Sequence, residues 1–142
     1  MAYDANNIFA RMVRGEIPCI KVYEDADTLA FMDIMPQSEG HTLVIPKVAG
    51  ENLFDTPPVA LLAAMRTTQR VARAVKRAFD APGIIVTQFN GPVSGQTVFH
   101  LHFHIIPAYV AGTLRAHARE RVDSAILEAQ AVRVRAALAA EP

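Results

Sequence analysis

Phe99-His100-Leu101-His102-Phe103-His104-Ile105-Ile106-Pro107 carries three of this chain's five histidines at every second position. Successive side chains of a β-strand point to opposite faces, so His100, His102 and His104 are expected on one face and Leu101, Phe103 and Ile105 on the other. One face then belongs to a core and the other presents imidazole. Same-face neighbours lie roughly 6.5–7 Å apart, which lets three rings surround one small polar ligand. Each neutral imidazole also needs a partner for both ring nitrogens, so stacking three of them is costly unless something polar or wet adjoins them. Two chemistries suit such a face: a metal cage, or acid, base and nucleophile work near neutral pH.

The residues around this stretch bear on that choice. From Ala81 to Gly112 there is no Asp, Glu, Lys or Arg. Catalytic metal sites commonly add a carboxylate to their histidines, and phosphate sites usually show a Lys or Arg. This segment offers imidazoles, amides, hydroxyls and backbone N–H groups, so no metal site is expected. Cys19 is the only cysteine, which excludes an intrachain disulfide and a cysteine-based zinc site and suits a reducing compartment.

The 142 residues fit one domain, with 51% hydrophobic and 20% charged residues, as in a globular protein. Lys plus Arg and Asp plus Glu are equal at 14 each, so no overall field points to nucleic acid or an anionic membrane. The first residues lack a signal-peptide pattern and no segment approaches the ~20 apolar residues of a membrane helix. A cytoplasmic location is the expectation.

Asn6 or Asn7 is placed to cap a short helix running to about Arg14 and ended by Gly15. Strand-like runs follow at Ile20–Tyr23, Thr28–Ile34 and His41–Pro46, with short turns between them, as in an antiparallel meander. Pro57-Pro58 starts a long helix to Phe79, on which Leu62, Met65, Ala72, Val75 and Phe79 are expected to form the apolar face. Arg66, Arg70, Arg73 and Arg77 follow another stripe, read as a solvated face. Ile84–Phe89 is a fourth strand, residues 90–97 a loop, and a C-terminal helical extension over about 113–140 carries Val122, Ile126 and Ala129 together with Leu127, Ala131, Val134 and Leu138. His117 is read as a surface residue.

Five blocks, in order and spacing, resemble the histidine triad superfamily and its Hint-like branch of nucleotide hydrolases and transferases. They are Ile8-Phe9 with Gly15-Glu16-Ile17-Pro18, Phe31–Ile34, His41–Lys47, Asn90 with Gly95-Gln96-Thr97, and the triad itself, together covering residues 6 to 107. The resemblance implies an α+β fold with a five-stranded antiparallel sheet, a short N-terminal helix, a long central helix and a C-terminal helix, pairing into a homodimer. It implies a purine nucleotide substrate, with an AMP or GMP moiety, cleaved at the α-phosphorus of a phosphoramidate or related compound through a covalent nucleotidyl-histidine and without a cofactor. A dinucleoside polyphosphate hydrolase and a nucleotide-binding regulator are the alternatives. His102 would be the nucleophile, with His100, His104 and His41 completing the cluster. Asp33 would hold the ribose, Ile8, Phe9, Ile17, Phe31 and Ile34 the base, and Asn90, Gly95, Gln96 and Thr97 would face the phosphate and leaving group. Thr97 stands where the family often has serine, and the zinc-binding cysteines of some bacterial members are absent.

Overall fold

The computed structural model describes residues 2–110, 114 and 120–141; His117 lies outside them, as does the expected start of the C-terminal extension. The fold is α+β. A short helix α1 (Ile8–Val13) precedes strands β1 (Lys21–Glu24), β2 (Thr28–Met32) and β3 (Thr42–Pro46); helix α2 (Pro58–Ala78), strand β4 (Gly83–Thr87), strand β5 (Phe103–Ala108) and helix α3 (Ser124–Ala139) follow. The strands form one antiparallel sheet in the order β1-β2-β3-β5-β4. The side chain of Asn7 accepts from the Ala10 amide at 2.9 Å, capping α1, and the left-handed Gly15 (φ 75°) turns the chain away at its other end.

The sheet's two faces separate two cores. Ala30, Met32, Val44 and Ile105 face α2 and α3, while Leu29, Phe31, Leu43 and Ile45 cluster with Phe9 of α1. His104 lies opposite Leu43 in the β3–β5 register, on the α1 side.

Three expectations need correction. The buried stripe of α2 is Ala60, Ala64, Thr67, Thr68, Val71, Ala74 and Val75; of the face expected from the larger apolar residues, Val75 and Phe79 are buried, but Leu62 and Met65 are 61% and 44% exposed. Small side chains let the helix approach the sheet closely, and the buried hydroxyls of Thr28 and Thr67 satisfy each other at 2.8 Å. On α3 the buried set is Leu127, Ala131, Val134 and Leu138, and Ile126 faces outward. The strand expected over residues 99–107 begins only at Phe103. Regular β3–β5 pairing ends at Val44↔Phe103, because two residues on Pro46 closes β3 without an N–H to donate. His100 and His102 therefore sit on irregular backbone, held by the Leu101 amide on the Gly50 carbonyl at 2.9 Å and by their own rings.

The arginine stripe is partly paired: Arg70 and Arg77 lie 3.8 and 3.5 Å from the Glu141 carboxylate, and Arg70 stacks over Tyr23. Among the described residues no helix is long and apolar enough to cross a membrane.

Candidate active site

A cavity of about 400 Å³ opens between α1, the α1 side of the sheet and the start of α3. Ile8, Phe9, Phe31 and Ile34 line it with apolar surface, and Asp33, His102 and His104 give it one polar region. Ile17 is half-buried and immediately precedes the wall formed by Pro18, Cys19 and Ile20. Burial raises the pKa of the Cys19 thiol, so at neutral pH it contributes soft apolar surface and no thiolate. Arg121 and Ser124, from the start of the C-terminal helical region, also line the cavity; neither was singled out in the sequence.

The protonation pattern of the four histidines follows from partners that can act in only one direction. His102 Nδ1 lies 2.7 Å from the His100 carbonyl oxygen. A carbonyl only accepts, so Nδ1 carries the proton and Nε2 keeps its lone pair. The ring is packed edge-on against Phe9, with centroids 5.0 Å apart, and lies 5.0 Å from the His104 ring. At His41 the constraint is reversed: the Gln37 backbone N–H donates to Nδ1 at 3.0 Å, so that nitrogen is bare and the proton sits on Nε2. His41 Nε2 is 3.0 Å from His104 Nδ1, which must accept, and this leaves the His104 proton on Nε2. The Asp33 carboxylate, 6% exposed, places Oδ2 3.4 Å from the same His41 nitrogen and accepts the Met35 amide on Oδ1 at 2.8 Å. His100 Nε2 donates to the Pro46 carbonyl at 2.7 Å, and its Nδ1 accepts the Tyr3 hydroxyl at 2.6 Å. Burial lowers the pKa of His100, against a smaller opposing effect of the Pro46 bond.

The loop over residues 90–97 is fastened from within. The Gln96 side chain, 3% exposed, accepts the Gly91 amide at 2.8 Å and donates to the Glu51 and Val98 carbonyls at 2.6 and 3.1 Å. Asn90 Oδ1 accepts the Leu53 amide at 2.9 Å. Both amides tie this loop to residues 51–53, so they shape the loop while exposed Thr97 lines the cavity. Gly95 closes a 3-10 turn over Pro92–Ser94 at φ +114°, a conformation that favours glycine. The sequence did not single out Tyr3, the Gln37 amide or the Pro46 carbonyl. Two of these are backbone groups that leave no signal in residue type, and the third is 97 residues from its partner.

The HIT domain family model matches residues 14–111. Adenosine 5′-monophosphoramidase HNT1 of Saccharomyces cerevisiae is 42% identical over 104 residues, covering 73% of this chain and 63% of that protein. A Hit-like protein from Bartonella henselae, described as involved in cell-cycle regulation and solved with an unknown ligand, superposes with a TM-score of 0.90 at 52% identity over 96% of this chain and 99% of that one. A zinc-bound histidine triad family protein from Mycobacterium smegmatis superposes at 0.83 with 37% identity over 94% of each chain.

That zinc-bound neighbour makes the donor set here worth testing. The carboxylate missing from residues 81–112 is supplied by Asp33, and Asp33, His41 and His104 each offer a ligand atom within 4.8 Å of the others. As hydrogen-bonded here, however, His41 does not turn a lone pair toward this cluster. Ligation through His41 Nε2 would move its proton to Nδ1, straight at the Gln37 N–H that now donates there. Zinc titrated into the protein is expected to find no site at this cluster tighter than about 1 μM by calorimetry. A tighter one-to-one site that disappears in His41→Ala would contradict the tautomer assignment.

Proposed function

Because the chain belongs to the HIT domain family, we propose that it is a nucleotide hydrolase or transferase that cleaves purine nucleoside phosphoramidates at the α-phosphorus, the whole chain acting as one domain without a cofactor. The observation that carries this reading is that His102 turns Nδ1 to the His100 carbonyl while His104 turns Nδ1 to His41 Nε2, which assigns a nucleophilic nitrogen and a proton donor to one cavity with an apolar cleft and a buried carboxylate. The base enters between Ile8 or Phe9 and Phe31 or Ile34. The ribose hydroxyls donate to the Asp33 carboxylate, which lines the same cavity and can only accept.

His102 Nε2 attacks the phosphorus, forming a P–N bond to the imidazole as the bond to the leaving amine breaks. The positive charge that develops on His102 is stabilised by the Nδ1–H bond to the His100 carbonyl. His104 Nε2–H donates its proton to the departing nitrogen, and the His41 N–H behind it supports the transfer. Thr97, which lines the cavity, steadies the phosphoryl oxygens through its hydroxyl. Water then attacks the nucleotidyl-histidine, returns a proton to His104 and releases the nucleoside monophosphate.

A homodimer completes the proposal. Leu62 and Val59 on α2 and Ile85 and Val86 on the edge strand β4 are exposed apolar residues, and pairing copies across them would cover both the patch and the open edge. Light scattering at micromolar concentration is expected to give the mass of two chains; one chain would sink this part.

His102→Ala is expected to lower steady-state turnover of adenosine and guanosine phosphoramidates by several orders of magnitude while AMP still binds. Intact-mass analysis of a quenched wild-type reaction should show an acid-labile nucleotidyl adduct that the variant lacks. Tight nucleotide binding without measurable wild-type turnover would favour the regulator, and an adduct on His102→Ala would misplace the nucleophile.

A further inference from the structure

The hydroxyl of Tyr3, ahead of α1, reaches His100 Nδ1 at 2.6 Å, and the two rings meet edge to face with centroids 5.8 Å apart. Since His100 Nε2 donates to the Pro46 carbonyl, Nδ1 is a lone pair and the tyrosine is the donor. Both ring nitrogens of His100 are thereby fixed from two different segments of the chain. This matters because residue 100 precedes the start of β5 at Phe103, where no ladder bond positions its backbone. Its carbonyl is nevertheless the group that accepts the His102 Nδ1 proton and so orients the nucleophile.

We propose that Tyr3 is a positioning residue for the reaction, holding His100 so that its carbonyl keeps His102 Nε2 aimed at phosphorus, without itself touching the substrate. The inference rests on the assignment of His102 as nucleophile. Three observations support it. Burial raises the pKa of the Tyr3 phenol, which keeps it a donor through neutral and mildly alkaline pH, and burial keeps His100 an acceptor. The strap that carries Tyr3 is anchored, since Asn7 donates from both its backbone and its side chain to the Asp4 carbonyl at 3.2 and 2.7 Å. The same Asn7 caps α1, whose Phe9 packs edge-on against the His102 ring. The N-terminal segment thus meets the nucleophile from two directions, through Phe9 on its ring and through His100 on its Nδ1.

Tyr3→Phe removes the hydroxyl and keeps the ring contact. The expected result is a fall in kcat of about three- to tenfold, the size of one lost hydrogen bond, with KM and AMP affinity unchanged. In the free enzyme the Nδ1 proton resonance of His102 should shift and exchange faster with water, which a merely structural anchor would not cause. An unchanged kcat, a loss confined to KM, or a lower kcat with the His102 resonance unmoved would each overturn the inference. The resonance is read without substrate, so a wild-type protein that turns over no phosphoramidate would defeat the proposed reaction and still leave this test decisive.

Discussion

The 2.7 Å contact between His102 Nδ1 and the carbonyl of the residue two positions earlier is the constraint on which the rest of the site depends. It requires the backbone at residue 100 to leave the sheet, since a carbonyl engaged in a β-ladder would not turn back to its own chain in this way. Pro46 allows that departure by ending β3, and its carbonyl then takes the His100 ring. A single proline thus separates the part of the histidine run that is strand from the part that is site. His104, on the strand side, has its position set by the register with Leu43; His102, beyond it, has its position set by hydrogen bonds and by Phe9.

The second consequence is electrostatic. Four histidines and one aspartate are buried together, and so dense a polar cluster is tolerable where each imidazole proton is given a direction by the group it meets. Backbone groups supply those directions: the Gln37 amide at one end, the Pro46 and His100 carbonyls at the other. Side chains that titrate are thereby governed by groups that do not, which keeps one lone pair and one proton facing the same cavity. The Asp33 carboxylate lies against the neutral His41, so its contact at 3.4 Å is better described as polarising that ring than as an ion pair.

Much of this was legible in the sequence, for reasons that differ residue by residue. Strand alternation and the prolines at residues 46, 57 and 58 marked the element boundaries closely, and the triad's spacing pointed to a site before any geometry was known. The face of α2 was misread because hydrophobicity was weighted by size, whereas a helix laid close on a sheet buries alanine and threonine and leaves Leu62 outside. The strand assignment at His100 and His102 failed because pairing is a property of two segments, and only the partner's proline reveals where it stops. Gln96 and Asn90 read as phosphate-facing amides, but their side chains bond backbone groups of the loop and of residues 51–53, a role that residue type does not distinguish. The donor on His41 and the acceptors on His100 and His102 are peptide groups, invisible in any one-letter pattern.

The central claim is that the four histidines are neutral with assigned tautomers, and nitrogen-resolved imidazole spectra of the free protein at neutral pH test it most directly. The account predicts a proton on Nδ1 and a bare Nε2 at His102, with the reverse arrangement at His41, His100 and His104. A proton on Nε2 of His102 would contradict it by removing the lone pair that faces phosphorus, and a doubly protonated His41 would contradict it by placing a proton where the Gln37 amide donates.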